Sequence, residues 1–320
     1  SGLMTEILTV TVNPAIDVAT STDHVVPGPK LRCGPARIDP GGGGINVART
    51  VTKLGGHAKA VFAVGGENGL QLIDMVRAEG VTPIPVTVAG QTRQNLAVTD
   101  LQSGEQYRFS LRGDQWREKD QTKIIDVITA HAAVDGFVVL SGGIAPGMSA
   151  GFHGQVQTAL KPLSNKIIVD TCEPALSHLI SRARIPFHLL RLDQQEAALA
   201  AGRDLGSVEE SFAYAADLVG RGVARTVIIG RGADGSLLVT QDQRLFCHAA
   251  KVPVQSKIGA GDAFVGGLTF GLSRAQSLSD ALQWGVAAAT ATVSTPGTAL
   301  CTLEAVKSLI PHCRVETVAP

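Results

Sequence analysis

The feature that most constrains this chain is an alternation of short apolar runs with segments of helical periodicity. The runs are rich in β-branched residues, which favour strands, and residues that favour turns bound them. Because parallel strands need crossover connections, usually helices, the alternation predicts a mostly parallel sheet with helices on both faces. Strands are predicted at residues 6–12, 58–66, 136–143, 165–171, 187–193 and 224–232. Helices are predicted at residues 45–54, 69–79, 121–132, 208–220 and 262–272.

Two segments interrupt the alternation. Residues 15–38 carry few helix signals. Residues from about 92 to 112 show the pattern of two strands, each with alternating apolar and polar residues, around a turn at Ser103–Gly104. Together they predict a small antiparallel sheet that projects from the main domain. Since no internal repeat or linker divides the chain, we expect a single domain over residues 1–320, with a lid formed by about 15–38 and 92–112.

Charge and cysteine content exclude several classes of protein. Lys plus Arg equals Asp plus Glu at 28 each, and the absence of a basic run argues against nucleic acid or an anionic membrane surface as a partner. The five cysteines form no CxxC pair, which argues against a disulfide framework or a zinc site. No apolar stretch reaches the roughly 20 residues of a membrane-spanning helix, and the opening residues lack a signal-peptide pattern. We therefore expect a cytoplasmic protein that acts on a small molecule.

The first glycine-rich stretch is DPGGGGINVAR, residues 39–49, in which four glycines precede a predicted helix. Glycine is costly in conformational entropy, so such a run is kept where side chains would clash or where φ is positive. The run predicts that something, such as a ligand, approaches this backbone closely.

The second stretch is SKIGAGDAFVGGLTFGL, residues 256–272, in which Gly259, Ala260 and Gly261 lead into a helix that opens with Asp262. Small residues at a helix start expose N–H groups at the positive end of the dipole, which suits an anion. Asp262 alone could be a first-turn residue favoured by the dipole. Beside an anion site, it is also placed to take a proton from an attacking hydroxyl. Neither stretch fits the P-loop or the dinucleotide fingerprint.

Six motifs then carry a family resemblance. NPAID (13–17), KLRC (30–33), GGGGINVAR (41–49), TRQN (92–95), QYRF (106–109) and GAGDAFVGG (259–267) follow the order and spacing of the PfkB branch of ribokinase-like sugar kinases. The resemblance covers essentially the whole chain and implies a three-layer α/β/α sandwich with a small β-sheet lid. Within the family, the chain most resembles the bacterial 6-phosphofructokinases of PfkB type. Kinases for fructose 1-phosphate or tagatose 6-phosphate usually carry a lysine where this chain has Gly43.

The resemblance implies roles for individual residues. Asp262 matches the general base, and Gly259, Ala260 and Gly261 match the anion hole. The sugar-phosphate side is implied to comprise Asp17, Lys30, Arg32, Gly42, Gly43, Asn46, Arg93 and Gly143. The nucleotide side is implied to comprise Arg191, Asp193, Gly230, Gly232, Gly235, Ser256, Gly259 and Gly261, with Asp193 and Glu196 as the metal pair.

Simpler explanations stay open for several of these residues. The basic side chains of the sugar-phosphate side, Lys30, Arg32 and Arg93, could be solvated surface charge. Asp17 could belong to an Asx-type turn. The two acids of the metal pair could lie in an exposed first helical turn. The resemblance implies ATP as cosubstrate and Mg²⁺, leaves a potassium requirement open, and adds a homodimer formed through the lid. Sugar phosphate and ATP are then the partners, without nucleic acid or membrane.

Four departures from the family pattern keep alternatives open. RLDQQE (191–196) stands where KPNxxE is common, GRGADG (230–235) where SLGxxG is typical, and SGGIAPG (141–147) where SGSLPPG is typical. Lys257 replaces a threonine before the GAGD motif. The main hypothesis is a 6-phosphofructokinase that uses Asp262 as base. The alternatives are a kinase for tagatose 6-phosphate or fructose 1-phosphate, and a catalytically weak, sugar-phosphate-binding regulatory homologue.

Overall fold

Strands and helices alternate along most of the chain in the computed structural model, which describes residues 4–182 and 185–320. The strands are β1 (Ile7–Thr11), β2 (Ala15–Thr22), β3 (Arg37–Gly41), β4 (Lys59–Val64), β5 (Thr82–Thr87), β6 (Arg93–Asp100), β7 (Gln106–Ser110), β8 (Phe137–Ser141), β9 (Lys166–Asp170), β10 (Phe187–Asp193), β11 (Ala224–Gly230), β12 (Gly235–Val239), β13 (Arg244–His248) and β14 (Val315–Thr317). The helices are α1 (Gly43–Lys53), α2 (Gly66–Ala78), α3 (Glu118–His131), α4 (Phe152–Leu160), α5 (Ala175–Arg182), α6 (Gln194–Ala201), α7 (Val208–Gly220), α8 (Ala260–Ser273), α9 (Leu278–Val293) and α10 (Leu303–Leu309).

The predicted helices exist, and several begin a few residues earlier than their apolar pattern. Helix α3 shows why: its first turn holds Glu118 and Asp120, and Asp120 accepts a hydrogen bond from the backbone amide of Arg117 at the N-cap. The first turn of a helix is stabilised by such polar contacts rather than by core packing. Apolar periodicity therefore marks only where a helix meets the core.

Ten strands within the described residues form one sheet, in the order β14-β13-β12-β11-β10-β9-β8-β1-β4-β5. Pairs from β11 to β5 are parallel, whereas β12, β13 and β14 extend the sheet through antiparallel pairs. The prediction of a mostly parallel sheet is confirmed. The turns that join β11 to β12 and β12 to β13 are too short for a crossover helix, so those strands reverse direction.

Both faces of this sheet are covered. In β1, Ile7 packs into one apolar core, while Leu8 and Val10 pack into the other. Helices α3 to α7 contribute to the core of Leu8, and helices α1, α2, α8, α9 and α10 contribute to the core of Ile7. The predicted three-layer α/β/α arrangement is confirmed, and it explains why the strands are apolar on both sides.

A small sheet in the order β3-β2-β6-β7 lies apart from the large one. Strands β6 and β7 form the predicted hairpin, and β2 pairs with β3 antiparallel. The central pair, β2 with β6, is parallel, so the expected antiparallel sheet is a mixed sheet. Its two central strands are joined through β3, α1, β4, α2 and β5 rather than through a turn, which permits parallel pairing.

The carboxyl ends of neighbouring strands place polar groups at one edge of the large sheet. Ser141 at the end of β8 lies opposite Asp170 at the end of β9, and Asp193 at the end of β10 lies opposite Gly230 at the end of β11. Ligands of such sheets bind beyond this edge, where helices α1 and α8 also begin. None of the helices in residues 4–182 and 185–320 has the length and apolar character to cross a membrane.

Candidate active site

Helices α1 and α8 each bring one polar side chain to this edge. Asp262 lies in the first turn of α8, and Asn46 lies in the first turn of α1. Nδ2 of Asn46 donates a hydrogen bond to Oδ2 of Asp262 over 3.0 Å. The fold therefore brings together the key polar residues of the two glycine-rich motifs, which are 216 positions apart.

The surroundings of Asp262 set its proton affinity. Removal from water raises the pKa of Asp262 to about 6, because burial disfavours the charged form. The hydrogen bond from Asn46 and the positive charges of Arg191 and Arg108 lower this pKa, whereas the negative charge of Asp17 raises it. A carboxyl group with such a pKa is mostly ionised at neutral pH and still accepts a proton, as a general base must.

The start of α8 presents backbone amides to the same space. Gly259 occupies the N-cap in the left-handed conformation, with φ of 77°, and no side chain caps the helix. The amides of Gly259, Ala260 and Gly261 have no acceptor within the part of the chain that the structure describes. Together with the helix dipole, free amides favour an anion. The arrangement fits the anion hole predicted here.

A positive charge lies beside this helix start. Nη1 of Arg191, on β10, lies 3.5 Å from Oδ2 of Asp170, and the guanidinium lies 5.5 Å from the ring centre of Phe264. A Cβ atom added to Gly261 would lie 2.8 Å from Nη1 of Arg191. The guanidinium is therefore held against the bare backbone at the start of α8, beside the free amides.

Two departures from the family pattern, Gly230 and Arg191, lie in contact with each other. A Cβ atom at Gly230 would lie 2.7 Å from Nη2 of Arg191, so a serine at 230 would displace the arginine. Arg231, in the same loop, is buried and donates to the carbonyl oxygens of Leu205 over 2.9 Å and Gly206 over 2.8 Å. Arg231 therefore holds the loop that precedes α7, and Arg191 places a positive charge at the start of α8.

The predicted metal pair forms the first turn of α6. The backbone amide of Glu196 donates to Oδ1 of Asp193 over 2.7 Å, and the amide of Asp193 donates to Oε1 of Glu196 over 3.0 Å. Burial and the charge of Asp170 raise the pKa of Glu196 to about 7. Residues 4–182 and 185–320 contain no cluster of three or more His, Cys, Asp or Glu side chains arranged to hold a metal. Mg²⁺ commonly uses only one or two carboxylates, and each acid keeps a second oxygen, so the pair fits that ion.

Three other residues predicted on the nucleotide side shape loops. Gly232, with φ of 59°, faces open space, and a Cβ atom at Gly235 would collide with the carbonyl oxygen of Cys247 on β13. Oγ of Ser256 donates to the carbonyl oxygen of Gly297 over 2.7 Å. Direct contact of these residues with a nucleotide stays a prediction.

The glycines of the first motif face protein atoms. A Cβ atom at Gly43 would lie 2.5 Å from the carbonyl carbon of Ser141, and one at Gly44 would lie 2.5 Å from the carbonyl oxygen of Val10. These contacts are with the backbone of β8 and β1, which cannot turn away as a side chain can. The close approach predicted for this run is therefore made by neighbouring strands.

The other glycines on the sugar side also lie against protein atoms. A Cβ atom at Gly41 would overlap the carboxylate of Asp17. Gly42 has φ of 115°, and its added Cβ atom would lie 2.6 Å from a methyl carbon of the threonine that ends β1. At Gly143, the nearest atom would be Sγ of Cys172, at 3.1 Å. Packing explains Gly41 and Gly42, and contact of Gly42, Gly43 or Gly143 with a sugar stays a prediction.

The small sheet faces Asp262 with its own polar residues. Burial raises the pKa of Asp17 on β2 to about 6, and Nδ2 of Asn95 donates to Oδ1 of Asp17 over 3.3 Å. A cavity of about 80 Å³ lies between this sheet and the loops beside α8. Its lining includes Asp17, Asn95, Arg108, Ile258 and Thr298.

The three predicted phosphate-binding cations differ in placement. Nη2 of Arg93, on β6, donates to the carbonyl oxygen of Asn13 over 2.8 Å, and Nη1 donates to that of Leu111 over 2.5 Å. Arg93 therefore joins the small sheet to the strand ends beside it. Lys30 and Arg32 are exposed on the loop between β2 and β3. The structure thus brings Arg93 next to β2, and the solvated-charge explanation stays open for Lys30 and Arg32.

Three residues at this site were not predicted from the sequence. Arg108 pairs in register with the buried Ala97, which places it on the inner face, whereas alternation along β7 alone would have put the apolar Tyr107 and Phe109 there. Asn95 closes the TRQN motif and binds Asp17. Asp170 ends an apolar strand, which is where a parallel sheet presents its functional groups.

The family model described as pfkB family carbohydrate kinase matches residues 10–305 of this chain. The ATP-dependent 6-phosphofructokinase isozyme 2 of Mycobacterium tuberculosis is 38% identical over 295 residues, covering 92% of this chain and 86% of that protein. The 1-phosphofructokinase of Haloferax volcanii is 33% identical over 313 residues, covering 98% of this chain and 99% of that protein.

A solved structure has the same fold. The phosphofructokinase-2 of Escherichia coli, in complex with substrates and products, superposes with a TM-score of 0.91 at 32% identity. The match covers 96% of this chain and 99% of that one. The resemblance derived from the six motifs therefore extends to the three-dimensional structure.

Proposed function

The chain belongs to the pfkB family of carbohydrate kinases, and we propose that it transfers the γ-phosphoryl group of ATP to the 1-hydroxyl of fructose 6-phosphate. The products are fructose 1,6-bisphosphate and ADP. It is a phosphotransferase that acts on sugar phosphates. The observation that carries the proposal is the contact between Asn46 and Asp262 beside the free amides of α8.

In the proposed reaction, Asp262 takes the proton of the sugar hydroxyl as its oxygen attacks the γ-phosphorus. The bond from that phosphorus to the β,γ-bridging oxygen breaks, and ADP leaves with the electron pair. The amides of Gly259, Ala260 and Gly261 face the charge on the transferring group, and Arg191 adds a cation. Little covalent chemistry is left to the protein beyond positioning and electrostatic stabilisation.

Asp193 and Glu196 are the residues that we propose hold Mg²⁺. They supply carboxylate oxygens at the carboxyl edge of the sheet, opposite the loop that follows β11. The ion, when bound, neutralises negative charge on the triphosphate. Since the two acids also cap α6, they stay fixed in place without any ligand.

The sugar phosphate is proposed to lie between the small sheet and α1. The Asp17 carboxylate can accept hydrogen bonds from hydroxyls, and the Asn46 amide can accept and donate them. Arg93, Arg108 and the loop that carries Lys30 and Arg32 provide positive charge for the phosphate. We propose that the segments of about 15–38 and 92–112 act as a lid of the single domain.

The outer face of the small sheet suggests how two copies meet. Register aligns Ile38, Val18, Leu96 and Phe109 in one row across the four strands. Ile38, Leu96 and Phe109 are 49%, 40% and 56% exposed, which is unusual for an apolar row on a monomer. We propose that this row pairs with a second copy in a homodimer. Sedimentation of Phe109→Ser, expected to be monomeric, checks this.

Fructose 1-phosphate is the second candidate substrate, because the 1-phosphofructokinase of Haloferax volcanii is 33% identical to this chain. Gly43 favours fructose 6-phosphate, because kinases for fructose 1-phosphate or tagatose 6-phosphate usually carry a lysine at this position. The test is ADP release with MgATP against fructose 6-phosphate, fructose 1-phosphate, tagatose 6-phosphate and unphosphorylated sugars, with and without potassium.

The panel separates the candidates. A kcat/KM preference for fructose 6-phosphate is expected. Preference for another sugar phosphate would keep the mechanism and change the substrate. Binding of sugar phosphate without ADP release would favour a regulatory protein and contradict the proposal.

A further inference from the structure

Arg49 is a fully buried arginine on α1 that takes no direct part in the proposed chemistry. Its Nη1 donates to Oδ1 of Asn46 over 3.0 Å and to the carbonyl oxygen of Pro40 over 3.1 Å. Its Nη2 donates to Oε1 of Glu79 over 3.1 Å and to Oδ1 of Asp39 over 3.4 Å. Contacts to β3, to the end of α2 and to its own helix therefore hold the guanidinium in one orientation.

The chemistry of the two groups fixes which way the Asn46 amide points. A guanidinium only donates hydrogen bonds, whereas an amide has an accepting oxygen at one end and a donating NH₂ at the other. Because Arg49 meets Oδ1, the NH₂ group of Asn46 must point to the opposite side. That side holds Oδ2 of Asp262, which receives the hydrogen bond at 3.0 Å.

We propose that Arg49 is a positioning residue that orients the Asn46 amide so that its NH₂ group faces Asp262. This inference rests on the proposed role of Asp262 as the base. Without the guanidinium, the amide can rotate and turn its oxygen towards the carboxylate. Repulsion between the two oxygens would then raise the pKa of Asp262 and leave less of the base ionised at neutral pH.

The other charged groups that act on Asp262 keep their residue type in every variant. They are Asp17 on β2, Arg108 on β7, Asp170 on β9 and Arg191 on β10. The charge of Arg49 also lowers the pKa of Asp17, which in turn acts on Asp262. A shift that reached Asp262 by that route would persist in a chain that carries Asn46→Ala, so comparison with that chain isolates the effect of the Asn46 amide.

The experiment compares Arg49→Met/Glu79→Gln with its matched control, Glu79→Gln. The second substitution removes the half-buried carboxylate that pairs with Arg49 at 3.1 Å and that methionine would leave with only Lys53, at 3.9 Å, which limits the loss of stability. Each protein is made with Asn46 and with Asn46→Ala. Circular dichroism checks folding, and Arg49→Gln, which keeps a donor, repeats the test if the Met variant does not fold.

The readout is the pKa of the Asp262 carboxyl group. It is followed through the ¹³C chemical shift of the carboxyl carbon, and the signal is assigned with Asp262→Asn. Relative to Glu79→Gln, we expect the Met variant to raise this pKa by about one unit, and Arg49→Lys, which also only donates, to leave it unchanged. In the Asn46→Ala background, the change at Arg49 should have no further effect. An unchanged pKa in the Met variant, or a shift that persists without Asn46, would overturn the inference.

Kinetics then separate this inference from the proposed function. The acid limb of the pH dependence of kcat/KM should move with the NMR pKa. If the unmodified chain releases no ADP with any sugar phosphate, the proposed function fails, and the NMR titration still decides the role of Arg49.

Discussion

The two glycine-rich helix starts look alike in the sequence and differ in what surrounds them. At α1, Gly43 and Gly44 lie against the backbone of β8 and β1, and the amide of Ile45 donates to Oγ1 of Thr11 over 2.8 Å. At α8, Gly261 lies against the guanidinium at the end of the Arg191 side chain, Gly259 lies against a methyl group of Leu300, and the amides of the helix start have no acceptor within the described residues. The first run lets protein pack against protein, and the second run leaves free amides that we propose bind an anion.

The difference shows that a glycine run by itself does not indicate whether a helix start binds a ligand or packs against protein. Its function depends on whether its amides are satisfied and on whether the nearest atoms are backbone or the end of a side chain. The following substitutions separate the two roles, because they should lower stability at one helix start and turnover at the other.

The largest effect is expected for Asp262→Asn. An amide cannot accept the hydroxyl proton, so kcat should fall about 10³-fold, within the range attributed to general base catalysis. Equilibrium binding of fructose 6-phosphate, measured by calorimetry, should be largely retained. Turnover near that of the unmodified chain would show that Asp262 is not the base.

Gly261→Ala should lower turnover while it spares the fold. The added methyl group would lie 2.8 Å from Nη1 of Arg191 and displace the cation from the anion hole, with an expected loss of about 100-fold in kcat. Alanine is favoured over glycine inside a helix, so thermal stability should not fall. A melting temperature that drops together with kcat would mean that the two helix starts do not differ as described.

Gly44→Ala should have the opposite effect. Its methyl group would meet the carbonyl oxygen of Val10 at 2.5 Å, and neither β1 nor α1 can move without disturbing the core. We expect the free energy of unfolding, measured in urea, to decrease by about 1–3 kcal/mol. An unchanged free energy of unfolding would contradict the packing role of the first run.

Gly230→Ser tests the link between two departures from the family pattern. The new side chain would displace Arg191, and we expect KM for MgATP to rise about tenfold, a change of about 1.4 kcal/mol. Adding Arg191→Lys should restore much of the affinity, because lysine lacks the guanidinium that fills this space. Equal effects of Gly230→Ser in the unmodified chain and in the Arg191→Lys background would show that the two positions are independent.

The pH dependence should distinguish the two carboxylates. Asp262 must be ionised to accept a proton, and its pKa in the free protein is raised to about 6, so its titration should lower kcat/KM about tenfold between pH 7 and pH 5. Asp17, beside the first glycine run, has a similarly raised pKa and is proposed to bind sugar rather than to take its proton. Asp17→Asn should therefore raise KM and keep the acid limb of kcat/KM, whereas loss of that limb would move the base to Asp17.

Much of this architecture could be predicted from the sequence. Apolar runs with a period of two or 3.6 residues depend on the core alone, so they predicted the sheet and its two helical layers. The motifs also predicted the residues that meet at the carboxyl edge, among them Asn46 and Asp262.

The remainder depends on distant contacts. Nothing near Gly43 in the sequence says that the backbone of Ser141 will lie against it, and nothing near Arg49 says that Glu79 will pair with it. The inner face of β7 likewise depends on its register with β6, which places Arg108 opposite a buried alanine. Local sequence patterns therefore predict the secondary structure, but they do not predict which distant residues will contact each other in the folded chain.

The parallel pairing of β2 with β6 has a consequence for how the protein reaches its native state. The two strands are separated by most of the first α/β units, so their pairing closes a long loop, and such contacts are slow to form. The β6–β7 hairpin can form early on its own, yet it finds its partner only after the intervening strands have condensed. The surface proposed to bind sugar is therefore completed late in folding, and a nascent or fragmented chain that has only the hairpin lacks the contribution of Asp17 and Asn46 to it.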